Sequence, residues 1–513
     1  MLSADLSKYR SYTSILILIL FVLVSSAIYA PAFYRSFASD DYCTLDFLKE
    51  NKGILKPGFF RPVGDLTLQW TLSIAGYKPF YFFVVNAVLH GANAWLLFLF
   101  CRKIQPSDEE RLAFPFVASS MFLLYHSVGE VALWAIGRGI SLAVTFTLLA
   151  MLLFVSEARR SVKVAGVSIL YFISLCCYEN VLLLPVVLLT GMYLKSFNSV
   201  RLSAFSNTSL RSDKRDIGMW IAGFGLAVAA NIILRVWCTG SMWASYSGKV
   251  FSKSIAEYAE AFIKMMWRIF VPAVDFPLIF AVIGMLALIA AASLVFAKRS
   301  RASDFYRLRI FAIAGIVAGA VMGMFYGAST RTSEGDRFLY FPAIFFTILL
   351  ASFLVRITPA KLRIATIFLF GAMQIYFLNR TKNNWIEASR LSQQLISQVK
   401  ATGMRPLYII NLPGEFRGAF QFRNCFKNAL SYHGADTTQV KVVNVLNHPE
   451  SVTRQRSNVQ QVTGDSWIIW PGTRIGLKGN SVKRINDEDV SDAELTLQQV
   501  AYWNGEKLIY LSR

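Results

Sequence analysis

The chain has 513 residues, of which 55% are hydrophobic and only 16% charged, at a mean hydropathy of +0.46. Soluble domains carry about 25% charge, so this composition excludes an ordinary soluble enzyme and points to a polytopic membrane protein. The net charge of +21, from 52 Lys and Arg against 31 Asp and Glu, would suggest nucleic acid in a soluble chain. Here the basic residues fall mainly in short loops between apolar runs. They read as topology signals and as partners for anionic lipid headgroups, so the bilayer is the expected partner and nucleic acid is not.

Lys8 and Arg10 precede an apolar run from about 12 to 33, too long for a signal-peptide core, which reads as an uncleaved first span. A polar loop, 34–79, follows and carries Asp40-Asp41 where the chain has just left the hydrocarbon. Its stretch 65–72 is amphipathic and suits an interfacial position. Further apolar runs lie near 80–101, 112–127, 140–156, 164–178, 180–195, 216–237, 274–297, 309–327, 337–355 and 363–380, giving about eleven spans. Basic clusters fall in alternate loops: Arg102-Lys103, Arg159-Arg160-Lys163, Lys195 to Arg215, Lys298-Arg299-Arg301 and Arg356-Lys361-Arg363. By the positive-inside rule that side, with the N-terminus, is cytoplasmic.

After Arg380 the composition changes. The segment 384–400 has helical periodicity, and β-type runs appear at 407–412, 440–446, 467–470 and 508–511 between Gly, Pro and Asn. The expected architecture is therefore a polytopic α-helical membrane domain, 1–380, and a small extracytoplasmic α/β domain, 381–513. Of six cysteines, Cys101, Cys176 and Cys177 read as buried spectators. Cys43, Cys238 and Cys425 fall on the outer side, where a disulfide among them could form, although no spacing pattern supports one. Four His and these Cys show no metal-ligand spacing.

The outer face collects acids (Asp40, Asp41, Glu130, Glu179, Glu334, Asp336) and cations (Arg61, Arg138, Arg331, Arg337). A carboxylate there can accept a proton from an attacking hydroxyl. An arginine can hold a phosphate by paired hydrogen bonds. Together they suit group transfer from a lipid phosphate. Each residue also has a structural reading: Arg138 as a snorkelling cation, Glu130 as its salt-bridge partner, Glu179 as a cap at a helix junction.

Four ordered stretches resemble the GT-C glycosyltransferases that use polyprenyl-phosphate sugars, and within them the transmembrane-and-TPR O-mannosyltransferase group and its bacterial relatives. Ser39-Asp40-Asp41-Tyr42 follows the first span, as the acidic motif does in that superfamily. Phe60-Arg61-Pro62-Val63, with the stretch 81–94, resembles the "YRP" and "HLxNxxLHxxNA" segments. Residues 124–138 resemble "HPxxxExVxWxxGR". Arg337-Phe338-Leu339-Tyr340-Phe341-Pro342 resembles "RYLYLP", and Tyr178-Glu179 occupies the place of the "KE" motif, with Tyr where the family has Lys. TPR repeats are absent and the C-terminal domain differs.

The resemblance implies a GT-C-like fold and transfer of a sugar from a polyprenyl-phosphate donor to an acceptor hydroxyl, on a glycolipid, polysaccharide or protein, with inversion. One of Asp40 and Asp41 would be the base. Arg337 would bind the donor phosphate, together with Arg138. Glu130 and Glu179 would line the cavity, and Arg61 and Tyr340 would contact substrate. No cofactor is indicated; some family members use a divalent metal, but two adjacent acids do not establish such a site. The outer face of a bacterial inner membrane is the expected location. A transporter, flippase or polymerase of lipid-linked saccharides is the competing class. A transporter would need polar or broken helices at mid-membrane, whereas most of these spans are apolar at their centres.

Overall fold

The computed structural model describes residues 2–51, 55, 59–105, 112–194, 214–242, 253–274, 305–357, 359–402, 407–442, 445–446, 459–463, 466–469, 473–478, 481–484, 500–503 and 507–510. The chain forms two compact units. One comprises Met1–Phe33 with Lys52–Thr381, and the other Tyr34–Asn51 with Lys382–Arg513. The sequence placed all of 34–79 with the membrane domain; Tyr34–Asn51 instead packs with the C-terminal residues.

The first unit is helical. Among the described residues seven helices are long and apolar enough to cross a membrane: Thr13–Ala32, Pro79–Ile104, Ala135–Phe154, Asp216–Thr239, Tyr306–Met324, Asp336–Leu354 and Ala360–Ala401. The chain is an integral membrane protein. Of the expected eleven runs, those near 112–127, 164–178 and 180–195 form shorter helices, Ala113–Leu123, Arg160–Leu175 and Leu184–Tyr193. The run 274–297 lies almost wholly outside the described residues. Prolines open several helices, with Pro62 and Pro79 at the first turn, where no amide donor is missed. Large apolar side chains such as Leu16, Leu23, Ile233 and Phe368 face outward, as lipid requires.

Small residues set the helix crossings. A Cβ on Gly91 would stand 2.7 Å from Val22 Cα, so the first span lies directly against Pro79–Ile104 at that point. Gly315 meets Phe345, and Gly319 meets Pro342, in the same way. Inside, His90 Nδ1 lies 2.9 Å from the Tyr340 hydroxyl, and Asn93 Nδ2 donates to that hydroxyl at 3.2 Å and to Ser141 O at 2.9 Å. These polar groups satisfy one another in the interior.

In the second unit the helix Asp40–Asn51 packs against the short helix Phe426–Tyr432. The strand Leu407–Ile410 is central to a four-stranded sheet, parallel to Val440–Val442 and Val500–Trp503; Leu508–Tyr510 pairs antiparallel with the latter. A second, antiparallel sheet runs in sequence order from Val459–Thr463 to Ser466–Ile469, Thr473–Lys478 and Ser481–Arg484. The sequence runs at 407–412, 440–446, 467–470 and 508–511 all contain strands. The helical segment 384–400 is not separate: it belongs to one helix of 42 residues, Ala360–Ala401.

Candidate active-site residues

The helix Pro62–Ala75 approaches Arg138–Phe154 closely, because a Cβ on Gly64 would lie 3.3 Å from Gly139 Cα. The Val63 amide donates to Cys176 O at 3.3 Å. These approaches bring Arg61 to Glu179. Arg61 Nη2 donates to Glu179 Oε1 at 3.1 Å, and the two side chains keep 19% and 15% of their surface open. The Arg61 guanidinium also lies over the Tyr178 ring at 4.1 Å. Tyr178 thus presents an aromatic face to a cation where the resembled family carries Lys. Arg235, which sequence reasoning passed over, acts electrostatically on Glu179 and lies over Phe60 at 6.0 Å. Its signal was an arginine near the outer end of an apolar span.

Arg337 is presented by a turn through Gly335, whose φ of 84° and close approach to Gly327 O leave no room for a side chain. Its guanidinium pairs with Glu130 Oε1, and its backbone amide donates to Glu130 Oε2 at 3.0 Å. Glu130 is fully buried. Burial pushes its carboxyl above the ordinary range, while Arg337 pulls the other way. Arg337 keeps 18% of its side chain exposed and lies over Phe338 at 4.5 Å and Trp134 at 5.3 Å. Phe338 stacks on Tyr326 at 4.8 Å and reaches Tyr178 at 6.5 Å. Arg61, Tyr178, Phe338 and Arg337 therefore form one row, with a part-open arginine at each end and a buried or half-buried carboxylate behind each.

Beside this row, Arg268 pairs with Asp336, the two side chains only 0% and 2% exposed. Arg268 also donates to Ser329 O and Val271 O, both at 2.8 Å. The sequence listing of outer cations omitted Arg268, because it sits in an amphipathic helix, Ile255–Phe270, rather than a short loop.

Two expected substrate contacts sit elsewhere. Arg138 is 1% exposed. Its guanidinium donates to Asn86 Oδ1 at 3.0 Å, Thr67 O at 2.9 Å, Thr71 Oγ1 at 2.6 Å and Phe82 O at 3.2 Å. Those acceptors are protein groups on two helices, which favours a structural role for Arg138. It ties the helix Pro62–Ala75 to Pro79–Ile104. Tyr340 is fully buried with its hydroxyl on His90 and Asn93, so it serves the interior network rather than an open cavity.

Asp40 and Asp41 belong to the second unit and open the helix Asp40–Asn51. Acids suit this first turn, where amide hydrogens lack helical acceptors. Asp41 is fully buried; its Oδ2 accepts from the Ala38 amide at 3.1 Å, and the buried Arg35 acts on it electrostatically. Asp40 is half-buried and its Oδ1 accepts from Asn424 Nδ2 at 2.8 Å. Ser39, at φ 48°, turns the chain into the helix. Its amide donates to Gln421 O at 2.8 Å, and its Oγ accepts from the Asn424 amide at 3.2 Å. Cys43 and Cys425 form a disulfide across 382 residues. Asp40, Cys43 and Cys425 hold potential ligand atoms within 4.8 Å of one another, but the two sulfurs are bonded together, which leaves a single carboxylate.

No family model matches the chain, and no curated protein matches it. The solved structures that are similar include two of one protein. ArnT from Cupriavidus metallidurans bound to undecaprenyl phosphate matches at 10% identity and a TM-score of 0.41, over 80% of this chain and 84% of that one. The same protein in the apo state matches at 11% identity and a TM-score of 0.44, with the same coverage. Both scores lie below 0.5, so neither likeness assigns a function to this chain.

Proposed function

We propose that the chain is a membrane glycosyltransferase that moves a sugar from a polyprenyl-phosphate donor to an acceptor hydroxyl at the outer face. The observation that carries this reading is the row Arg61–Tyr178–Phe338–Arg337. It offers two part-open guanidinium groups in the membrane unit, each oriented by a carboxylate behind it. Such groups suit an anionic phosphate that arrives on an apolar tail. The ordered sequence resemblance names the same donor class.

In this reading Asp40 is the base, because it is the more open of the two acids, and Asp41 orders the turn. Asp40 takes the proton of the acceptor hydroxyl. The hydroxyl oxygen then bonds to the anomeric carbon from the face opposite the phosphate. The anomeric C–O bond breaks, its electrons leave with polyprenyl phosphate, and the configuration inverts. Arg337 and Arg61 stabilise the leaving phosphate. The disulfide supports an oxidising, extracytoplasmic side for the second unit.

The test is sugar transfer by purified protein from a set of radiolabelled polyprenyl-phosphate sugars, with and without EDTA. Turnover of one donor is expected. Asp40→Asn should abolish it, Arg337→Ala should weaken donor use, and EDTA should leave it unchanged. Failure of every donor, with movement of lipid-linked sugar across vesicles instead, would replace the enzyme with a transporter.

A further inference from the structure

We propose that Asn424, backed by the Cys43–Cys425 disulfide, is a positioning residue that orients the Asp40 carboxylate; this rests on the reading of Asp40 as the base. Asn424 Nδ2 holds Asp40 Oδ1 at 2.8 Å. Among the described residues the other oxygen, Oδ2, accepts no hydrogen bond, which leaves it for an incoming proton. A carboxylate held by one oxygen has a fixed plane, and a proton acceptor gains from fixed orientation.

The hydrogen bond alone is not a structural necessity. Asn424 is exposed and Asp40 half-buried, and an exposed bond of this kind adds little stability. The join between the two helices has its own apolar centre, where Tyr432 meets Tyr42 at 5.6 Å and Phe37 at 5.9 Å between ring centroids. What the covalent link adds is register. Cys43 lies three residues after Asp40, on the same helix face, and Cys425 directly follows Asn424. One sulfur bridge therefore fixes the acid against its amide partner. Asn428 Nδ2 repeats the pattern further along, donating to Asp46 Oδ2 at 2.8 Å. Both sides of the join carry a non-glycine residue in the left-handed region, Ser39 and Cys425. Such conformations persist where surrounding structure enforces them, and they gather at sites that need pre-set geometry.

The experiment uses the full-length protein in detergent and the donor that the wild type consumes. Asn424→Ala should lower kcat about tenfold, with donor KM within about twofold and the Tm unmoved. Asn424→Asp, which faces Asp40 with a like charge, should lower kcat further. Dithiothreitol should also lower kcat: the Cys43 and Cys425 sulfurs become thiols while the reagent closes to its cyclic disulfide, and reoxidation should restore the rate. If both Asn424 variants keep the wild-type kcat while Asp40→Asn is inactive, Asp40 stays the base and the positioning role falls. A fall in Tm that parallels the loss of kcat would make Asn424 merely structural and overturn the proposal. If Asp40→Asn matches the wild type, the base assignment fails and the positioning role goes with it.

Discussion

The arginine row and the acidic turn hold their charges by different means. In the row each arginine is held by an acid behind it and an aromatic ring beside it. Those partners are buried or half-buried, so the arrangement depends on charge balance in a medium of reduced dielectric constant. At the acidic turn, Asp40 is half open, and its position comes from an amide, a left-handed residue and a sulfur bridge. Geometry there depends on a second chain segment rather than on countercharge. The membrane unit should thus lose stability when a charge is removed, and the second unit should lose rate when an orientation is removed.

The sharpest break is Arg268→Ala. It leaves Asp336 buried and unpaired, and unfolding in detergent should show a loss of about 3–5 kcal/mol. Arg268→Ala with Asp336→Ala should recover a large part of that loss; failure to recover would mean that the pair is not the source. Arg138→Ala comes next, at about 2–4 kcal/mol, because it removes a buried guanidinium from four acceptors, Asn86 Oδ1 and Phe82 O among them. Donor KM should stay within about twofold for Arg138→Ala but rise about tenfold for Arg337→Ala. Equal rises for both would return Arg138 to the phosphate.

The smallest effect concerns pH in the second unit. Burial, and secondarily the nearby Lys400, hold the His433 imidazole below its usual range. Tyr42 and Tyr432 also face it. A depressed folded pKa means that the unfolded chain binds the proton first. The stability is thus present above the unfolded value of about 6.5 and is lost as pH falls below it. The Tm should drop between pH 7.5 and 5.5, and His433→Gln should lessen the drop slightly.

Much of this was legible in the sequence. Apolar runs marked the seven long helices among the described residues, and alternation with Gly and Pro marked four strand regions. Arg61 and Glu179, and Glu130 and Arg337, were singled out, though not as pairs. What stayed hidden was long-range. Glu130 and Arg337 are 207 residues apart, and Asp40 and Asn424 are 384 apart; no local pattern joins them. The Arg138 hydrogen bonds were not legible, because an arginine at a membrane face looks the same in sequence whether its donors meet ligand or protein. Span length misled near 112–195, where apolar composition continues through turns such as Cys177-Tyr178-Glu179.

The second unit draws its first helix from residues 40–51 and the rest from beyond 381. That order governs biogenesis. At roughly 5–20 residues per second, the ribosome makes Cys425 on the order of 20–80 s after Cys43. Throughout that interval Cys43 is an unmatched thiol beside a newly inserted first span, while the remaining helices enter the bilayer. The acidic turn can be completed only when nearly the whole chain exists, so a truncated or stalled chain carries Asp40 without the residues that orient it.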